Sequence, residues 1–275
     1  MIKSSRSIDW PQKYDLFGVR ISATNYDQAV ESLVAAAQVP TSAIASLHAV
    51  HALITASTDP QLREMVNSFE LIGPDGQPVR WALNMLHRAR LKERVYGPEL
   101  MLRLCQRAAE AGVSIYLYGG TPEVLSALEA RLVARYPKLV IAGRYAPPFR
   151  PLTAEESEEV IRDILQSGAG MLFIGLGAPK QDRFAYEHRA HLPLVQVCVG
   201  AAFDFHAGVK KMAPSWMQRF GLEWLFRLSQ EPGRLWKRYA VTNTVFLWKL
   251  MRAWASHKRG KVFPSSTKES SKAAS

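Results

Sequence analysis

Short apolar runs that alternate with amphipathic helical patterns predict an α/β fold, a Rossmann-like and mostly parallel sheet with helices on both faces. Three of those runs end in glycine turns, as strands do at the carboxyl edge of open α/β sheets, where ligands bind. After residue 207 the composition changes, which predicts a basic, aromatic-rich helical appendage at the C-terminal end.

Taken in order, Tyr26–Ala37 has helical periodicity and Ser42–Leu47 is a short apolar strand. A helix over Pro98–Ala111 precedes the strand Ser114–Tyr118, which runs into Gly119-Gly120. Thr121 suits an N-cap and Pro122 a first helical position, so the next helix covers Pro122–Arg135. Leu139–Ala142 is the next strand, and Pro147-Pro148-Phe149-Arg150-Pro151 is a stiff loop. Thr153 and Glu156 form a capping box for a helix over Ala154–Gln166. The strand Met171–Ile174 enters Gly175-Leu176-Gly177, with Pro179 starting a helix to His188. Val195–Val199 is the last strand and enters Gly200.

The C-terminal third differs. Trp216, Phe220, Trp224 and Leu228 recur every four residues and predict one helix face, with Arg219, Glu223 and Arg227 on another stripe. Pro232-Gly233 breaks that helix. A second pattern places Trp236, Ala240, Leu247, Leu250 and Trp254 on one side, flanked by Arg234, Lys237, Arg238, Lys249 and Arg252. Aromatic rings with basic neighbours suit the lipid headgroup boundary, although an ordinary helix pair packed on the core would read the same way.

The net charge of +11 is unevenly spread. Residues 208–261 hold 12 Lys or Arg against Glu223 and Glu231, whereas residues 1–207 balance at 21 of each sign. A neutral body with a basic end implies a localised anionic partner. The sequence thus divides into an α/β core over 1–207, a basic helical appendage over 208–261 and a small polar, disordered tail over 262–275. No run of 18 uncharged apolar residues occurs, so no spanning helix is expected, and the N-terminus lacks a signal-peptide pattern. Cys105 and Cys198 are too few for a disulfide framework and read as buried thiols in a reducing cytosol.

The glycine turns carry the first chemical expectation. Helix N-termini after Gly119-Gly120-Thr121 and after Gly175-Leu176-Gly177-Ala178-Pro179-Lys180-Gln181 would offer amide protons and a positive dipole end to phosphates. Neither turn fits GxGxxG or the Walker pattern. Gln181 offers a donor and an acceptor for a sugar hydroxyl or a uracil edge. Asp75, in Gly73-Pro74-Asp75-Gly76, is either a turn residue bonding its own backbone or a carboxylate base in a rigid loop. His, Cys, Asp and Glu show no ligand spacing, so no metal and no cofactor are expected. No G-x-S-x-G elbow is present.

Several passages together resemble the WecG/TagA/CpsF glycosyltransferase family, GumM-like members included. They are Pro74-Asp-Gly-Gln-Pro-Val-Arg-Trp81, Arg94-Val-Tyr-Gly-Pro-Glu-Leu-Met101, Tyr118-Gly-Gly-Thr121, Gly175-Leu-Gly-Ala-Pro-Lys-Gln181 and Gly221-Leu-Glu-Trp-Leu-Phe-Arg227 with Glu231-Pro232. The resemblance implies inverting transfer from a UDP-sugar to a polyprenyl-diphosphate-linked sugar, by an enzyme attached peripherally to the inner face of the plasma membrane. It implies that Asp75 is catalytic and that Gln181 lies in the active site; the glycine turns, with Gly119, Gly120, Thr121, Gly175, Gly177 and Lys180, are expected around the donor. It also implies that Arg219, Arg227, Arg234 and Arg238 approach the lipid diphosphate. Ser46-Leu47-His48 stands where relatives often have Thr-x-Asn, so Ser46 and His48 are expected to bind substrate, and Lys211-Met212-Ala213-Pro214 stands where Lys-Arg-Ala-Pro is usual. The implied partners are the donor, the acceptor and an anionic membrane surface, with no nucleic acid; a homo-oligomer is compatible with the sequence. Two other classes remain: a Rossmann-type nucleotide-sugar epimerase or dehydrogenase, which the missing GxGxxG disfavours, and a non-enzymatic nucleic-acid-binding module, which the neutral body disfavours.

Overall fold

A computed structural model describes residues 8–258. The tail expected over 262–275, and the last three residues of the expected appendage, lie outside the described residues.

A hairpin of β1 (Lys13–Leu16) and β2 (Val19–Ser22) opens the fold. Then come α1 (Tyr26–Ala37), β3 (Ala43–His48), α2 (Val50–Thr58), α3 (Pro60–Asn67), β4 (Leu71–Pro74) and α4 (Gln77–His87). The middle of the chain supplies α5 (Gly97–Ala111), β5 (Ile115–Gly119), α6 (Pro122–Arg135), β6 (Ile141–Tyr145) and α7 (Ala154–Gln166). The remainder forms β7 (Met171–Gly175), α8 (Lys180–Glu187), β8 (Val195–Cys198), α9 (Ala202–His206), α10 (Ser215–Arg219), α11 (Glu223–Gln230) and α12 (Pro232–Lys258). Caps set several of these bounds. Asn25, Asp59 and Thr121 each accept an amide proton from the first turn of the helix that follows, and Thr153 and Glu156 form the expected capping box.

Six strands form one parallel sheet in the order β4-β3-β8-β7-β5-β6, the Rossmann-like arrangement the sequence predicts. Side chains alternate across it with period two. Ala43, Ala45 and Leu47 of β3 face a core built with α1, α5, α6 and α9. Ile44 faces the opposite core, built with α2, α3, α4, α7, α8 and α12. The same alternation separates Leu117 from Tyr116 in β5 and Phe173 from Leu172 in β7. The amide of Ile72 donates to Ser22 Oγ at 3.0 Å, so the hairpin flanks β4 at that edge of the sheet. Both cysteines are buried and unpaired.

Three expectations change. The strand expected at Leu139–Ala142 lies at Ile141–Tyr145, because Leu139 closes the turn after α6 by donating to the Tyr136 carbonyl. Pro179 precedes α8 as its cap residue, through a cis Ala178–Pro179 bond, and the helix begins at Lys180. Trp216, Phe220, Trp224 and Leu228 do not share one helix face. Gly221 takes φ +72°, which ends α10 and redirects the chain into α11. The side of α12 bearing Trp236, Ala240, Leu247 and Trp254 faces outward, with Leu250 at its margin. The buried side carries Leu235, Thr242 and Phe246, and packs on α2 and α4.

Candidate active site

Because all six strands run the same way, the ends of β3, β4, β5, β7 and β8 meet at one edge. From β3 to β5 adjacent strands leave in opposite directions: β5 and β8 feed α6 and α9 on one face, and β3 and β7 feed α2 and α8 on the other. Such divergence opens a crevice at the carboxyl edge.

The glycines of that edge have distinct structural duties. Gly119 and Gly175 pair in register, and a Cβ on Gly119 would sit 2.8 Å from the Gly175 carbonyl carbon. A Cβ on Gly175 would meet the Phe203 ring at 2.5 Å. Close approach of backbone at Gly119, and of the Phe203 ring at Gly175, therefore demands both residues. Gly120 and Gly177 are required instead by positive φ, +72° and +78°. The Gly177 amide donates to Gln181 Oε1 at 3.0 Å, so Gln181, only 3% exposed, braces the turn from inside. Thr121 Oγ1 accepts from Val124 at 3.3 Å, and Lys180 projects to the surface.

Ser46 and His48 point inward from β3. Ser46 Oγ donates to Asp182 Oδ1 at 2.6 Å, and His48 Nε2 lies 3.7 Å from Asp182 Oδ2. All three side chains are buried between β3 and α8. Even-numbered positions of β3 face that helix, which is why these two side chains do not line the open edge. Asp182, adjacent to Gln181, is the partner that sequence spacing could not supply.

Asp75 directly follows β4. Its amide donates to the His48 carbonyl at 3.2 Å, and its Oδ1 accepts from the Gly97 amide at 3.3 Å. The carboxylate is thus held by the first turn of α5 and not by its own turn, which removes the simple turn reading. Burial pushes its pKa up; Arg94 pulls it down, Glu223 pushes it up, and Arg227 and the Gly97 amide pull it down. The outcome is about 6.

The charged side chains around Asp75 come from distant segments. Arg94 Nη2 donates to Glu223 Oε2 at 2.8 Å and to Gln218 Oε1 at 3.2 Å. Arg227 Nη2 donates to Glu223 Oε1 at 2.7 Å. The Arg94 guanidinium lies 4.3 Å from the Tyr96 ring centroid. Burial works to raise the Glu223 carboxyl, but Arg227 and Arg94 outweigh it and hold the group below its ordinary value. Beside this cluster is a cavity of about 330 Å³, whose lining includes Gln77, Arg94, Tyr96, Met212, Gln218 and Arg219.

Of the four arginines expected near an anion, Arg227 joins the cluster and Arg219 lines the cavity. Arg234 is paired with Glu231 at 2.5 Å. Arg238 is exposed on α12, close enough to add to the burial that lowers His51 to about 4. Arg94, Tyr96 and Glu223 were not singled out by sequence reasoning, although all three lie within the quoted passages. Among the described residues, no three His, Cys, Asp or Glu side chains converge as a metal site would require. Residues 14–260 match the family model described as the glycosyl transferase WecG/TagA/CpsF family.

Proposed function

The chain belongs to the WecG/TagA/CpsF glycosyltransferase family, and from that premise we propose that it moves a sugar from a UDP-sugar to a polyprenyl-diphosphate-linked sugar, with inversion and without a metal. One observation carries this reading. Asp75 is a carboxylate with raised proton affinity, fixed by the Gly97 amide within an arginine-bearing cluster beside the cavity.

In the proposed step the acceptor hydroxyl oxygen bonds to the anomeric carbon from the face opposite UDP. The bond from that carbon to the β-phosphate oxygen breaks, and its electron pair leaves with UDP. The hydroxyl proton passes to Asp75, a general-base role worth ~10²–10⁴ in rate. The positive ends of α6 and α8, with cations of residues 208–261, offset the charge on the departing diphosphate. Ser46 acts from beneath, by holding Asp182 next to Gln181 of the Gly177–Gln181 turn.

Residues 1–207 serve in this reading as the nucleotide-sugar core, and 208–261 as the part that meets acceptor and membrane. Trp216, Phe220, Trp236, Leu247, Trp248 and Met251 are all more than half exposed, Arg234, Lys237, Arg238 and Arg252 lie nearby on α12, and no described helix is long and apolar enough to cross a bilayer. That combination supports peripheral attachment to an anionic leaflet, at about 1 kcal/mol per cation near the surface.

The test is a panel of UDP-sugars with a short-chain polyprenyl-diphosphate sugar, read by mass and by the anomeric coupling of the product. We expect one donor to give an inverted product, and Asp75→Asn to abolish transfer while UDP still binds. Wild-type transfer by that variant, or a retained configuration, overturns the reading.

A further inference from the structure

Asp75 shares its surroundings with groups from three parts of the chain. Arg94, Tyr96 and the Gly97 amide come from the entry to α5, the Tyr26 hydroxyl from α1, and Glu223 and Arg227 from α11. Two guanidiniums next to a carboxylate ordinarily keep it ionised and make it a poor proton acceptor. Yet among the described residues neither guanidinium forms an ion pair with Asp75; both are paired with Glu223. The Glu223 oxygens are divided, Oε2 to Arg94 of the α4–α5 connection and Oε1 to Arg227 one turn further along its own helix. A residue that served only to fasten α11 would need the first pair alone. The second, within α11, adds nothing to that attachment. What it does is balance a second cation beside Asp75.

We propose that Glu223 is a positioning residue for the transfer: by engaging Arg94 and Arg227 together it keeps both guanidiniums from pairing with Asp75, leaving that carboxylate basic enough to take the acceptor's proton. The proposal rests on the reading of Asp75 as the base. It also gives the docking of α11 a chemical consequence, because without Glu223 in place Arg94 loses the carboxylate it is paired with. The raised proton affinity of Asp75, to which the Glu223 charge contributes, agrees with this.

The test compares wild type with Glu223→Gln and Glu223→Asp. Two quantities are read: the pH profile of kcat/KM for transfer, and the titration of the Asp75 carboxyl carbon by ¹³C NMR, its resonance identified through Asp75→Asn. Removing the negative charge frees both guanidiniums to stabilise ionised Asp75. Glu223→Gln therefore moves the Asp75 titration and the acidic limb toward acid by about one pH unit or more, and lowers the plateau rate because a weaker base remains. Glu223→Asp, which withdraws the carboxylate by one methylene, moves both in the same direction by less, and it serves where the Gln variant does not fold. A titration and limb that stay at their wild-type position in these variants overturn the proposal, even if activity falls. The two readings fail separately. Wild-type turnover by Asp75→Asn removes the base itself, whereas an inactive Asp75→Asn with an Asp75 titration indifferent to Glu223 removes only the role of Glu223.

Discussion

The amide of Gly97 donates to Asp75 Oδ1 across 3.3 Å, placing the carboxylate at the positive end of α5. A helix N-terminus favours the ionised form, but enclosure outweighs it and leaves the group near pKa 6. The protonated acid cannot accept a proton, so kcat/KM should rise with pH through about 6 and level off above it. A profile flat between pH 5 and 8, or one that falls with rising pH across that range, contradicts the assignment.

The same enclosure makes ionised Asp75 a cost to the fold. Its folded pKa, about 6, exceeds the ordinary 3.8, so the folded state holds the proton more tightly and stability is lost as pH rises through that window. Asp75→Asn should therefore stabilise the protein above pH 6 by up to about 3 kcal/mol, with the gain vanishing below pH 4. Urea midpoints of both proteins at pH 4 and pH 7.5 check this; equal gains at the two pH values would contradict it.

Gly119→Ala and Gly177→Ala should differ sharply. Both positions have positive φ, but a Cβ at Gly119 meets backbone at 2.8 Å, whereas at Gly177 no heavy atom of the described residues lies within 4 Å. The first change should cost more than about 3 kcal/mol and the second about 1 kcal/mol, from backbone strain alone. Thermal melting distinguishes them, and similar losses would show that close approach is not the constraint at Gly119.

Asp182→Ala should destabilise by about 2–3 kcal/mol, since it strands the buried Ser46 hydroxyl. Ser46→Ala should cost nearer 1–2 kcal/mol. Chemical denaturation measures both, and an unchanged midpoint for Asp182→Ala would show that this buried group holds nothing together.

Membrane attachment is better tested by substitution than by truncation, because Phe246 on the inner side of α12 is 4% exposed and its loss would open the core. Replacing Trp236, Leu247, Trp248 and Met251 by Ser leaves that inner side intact. Sedimentation with anionic liposomes should fall about tenfold or more while the melting temperature holds. Undiminished sedimentation would assign the outward side of α12 another purpose.

Much of the fold is legible in the sequence because its signals are local. Tyr26–Ala37, Pro122–Arg135 and Ala154–Gln166 are helices over the very residues whose periodicity and caps announce them. Leu71–Pro74 is not legible as a strand, because four residues ending in Gly-Pro look like a turn until β3 pairs with them. The break at Gly221 was hidden by four-residue spacing that suited a continuous helix, though the glycine itself was the clue. The site was half legible. Asp75 stands in a recognisable loop, but what tunes it arrives from Gly97 and Glu223, and Arg94 is 129 residues from its carboxylate partner. Charge pairing over such distances leaves no periodic trace.

The cavity takes one wall from residues 26–102 and the other from residues 206–219. A chain leaving the ribosome therefore carries Asp75 long before the opposite wall exists. Premature termination before His206 would yield a protein that has Asp75 but neither the opposite wall of the cavity nor the Glu223 carboxylate.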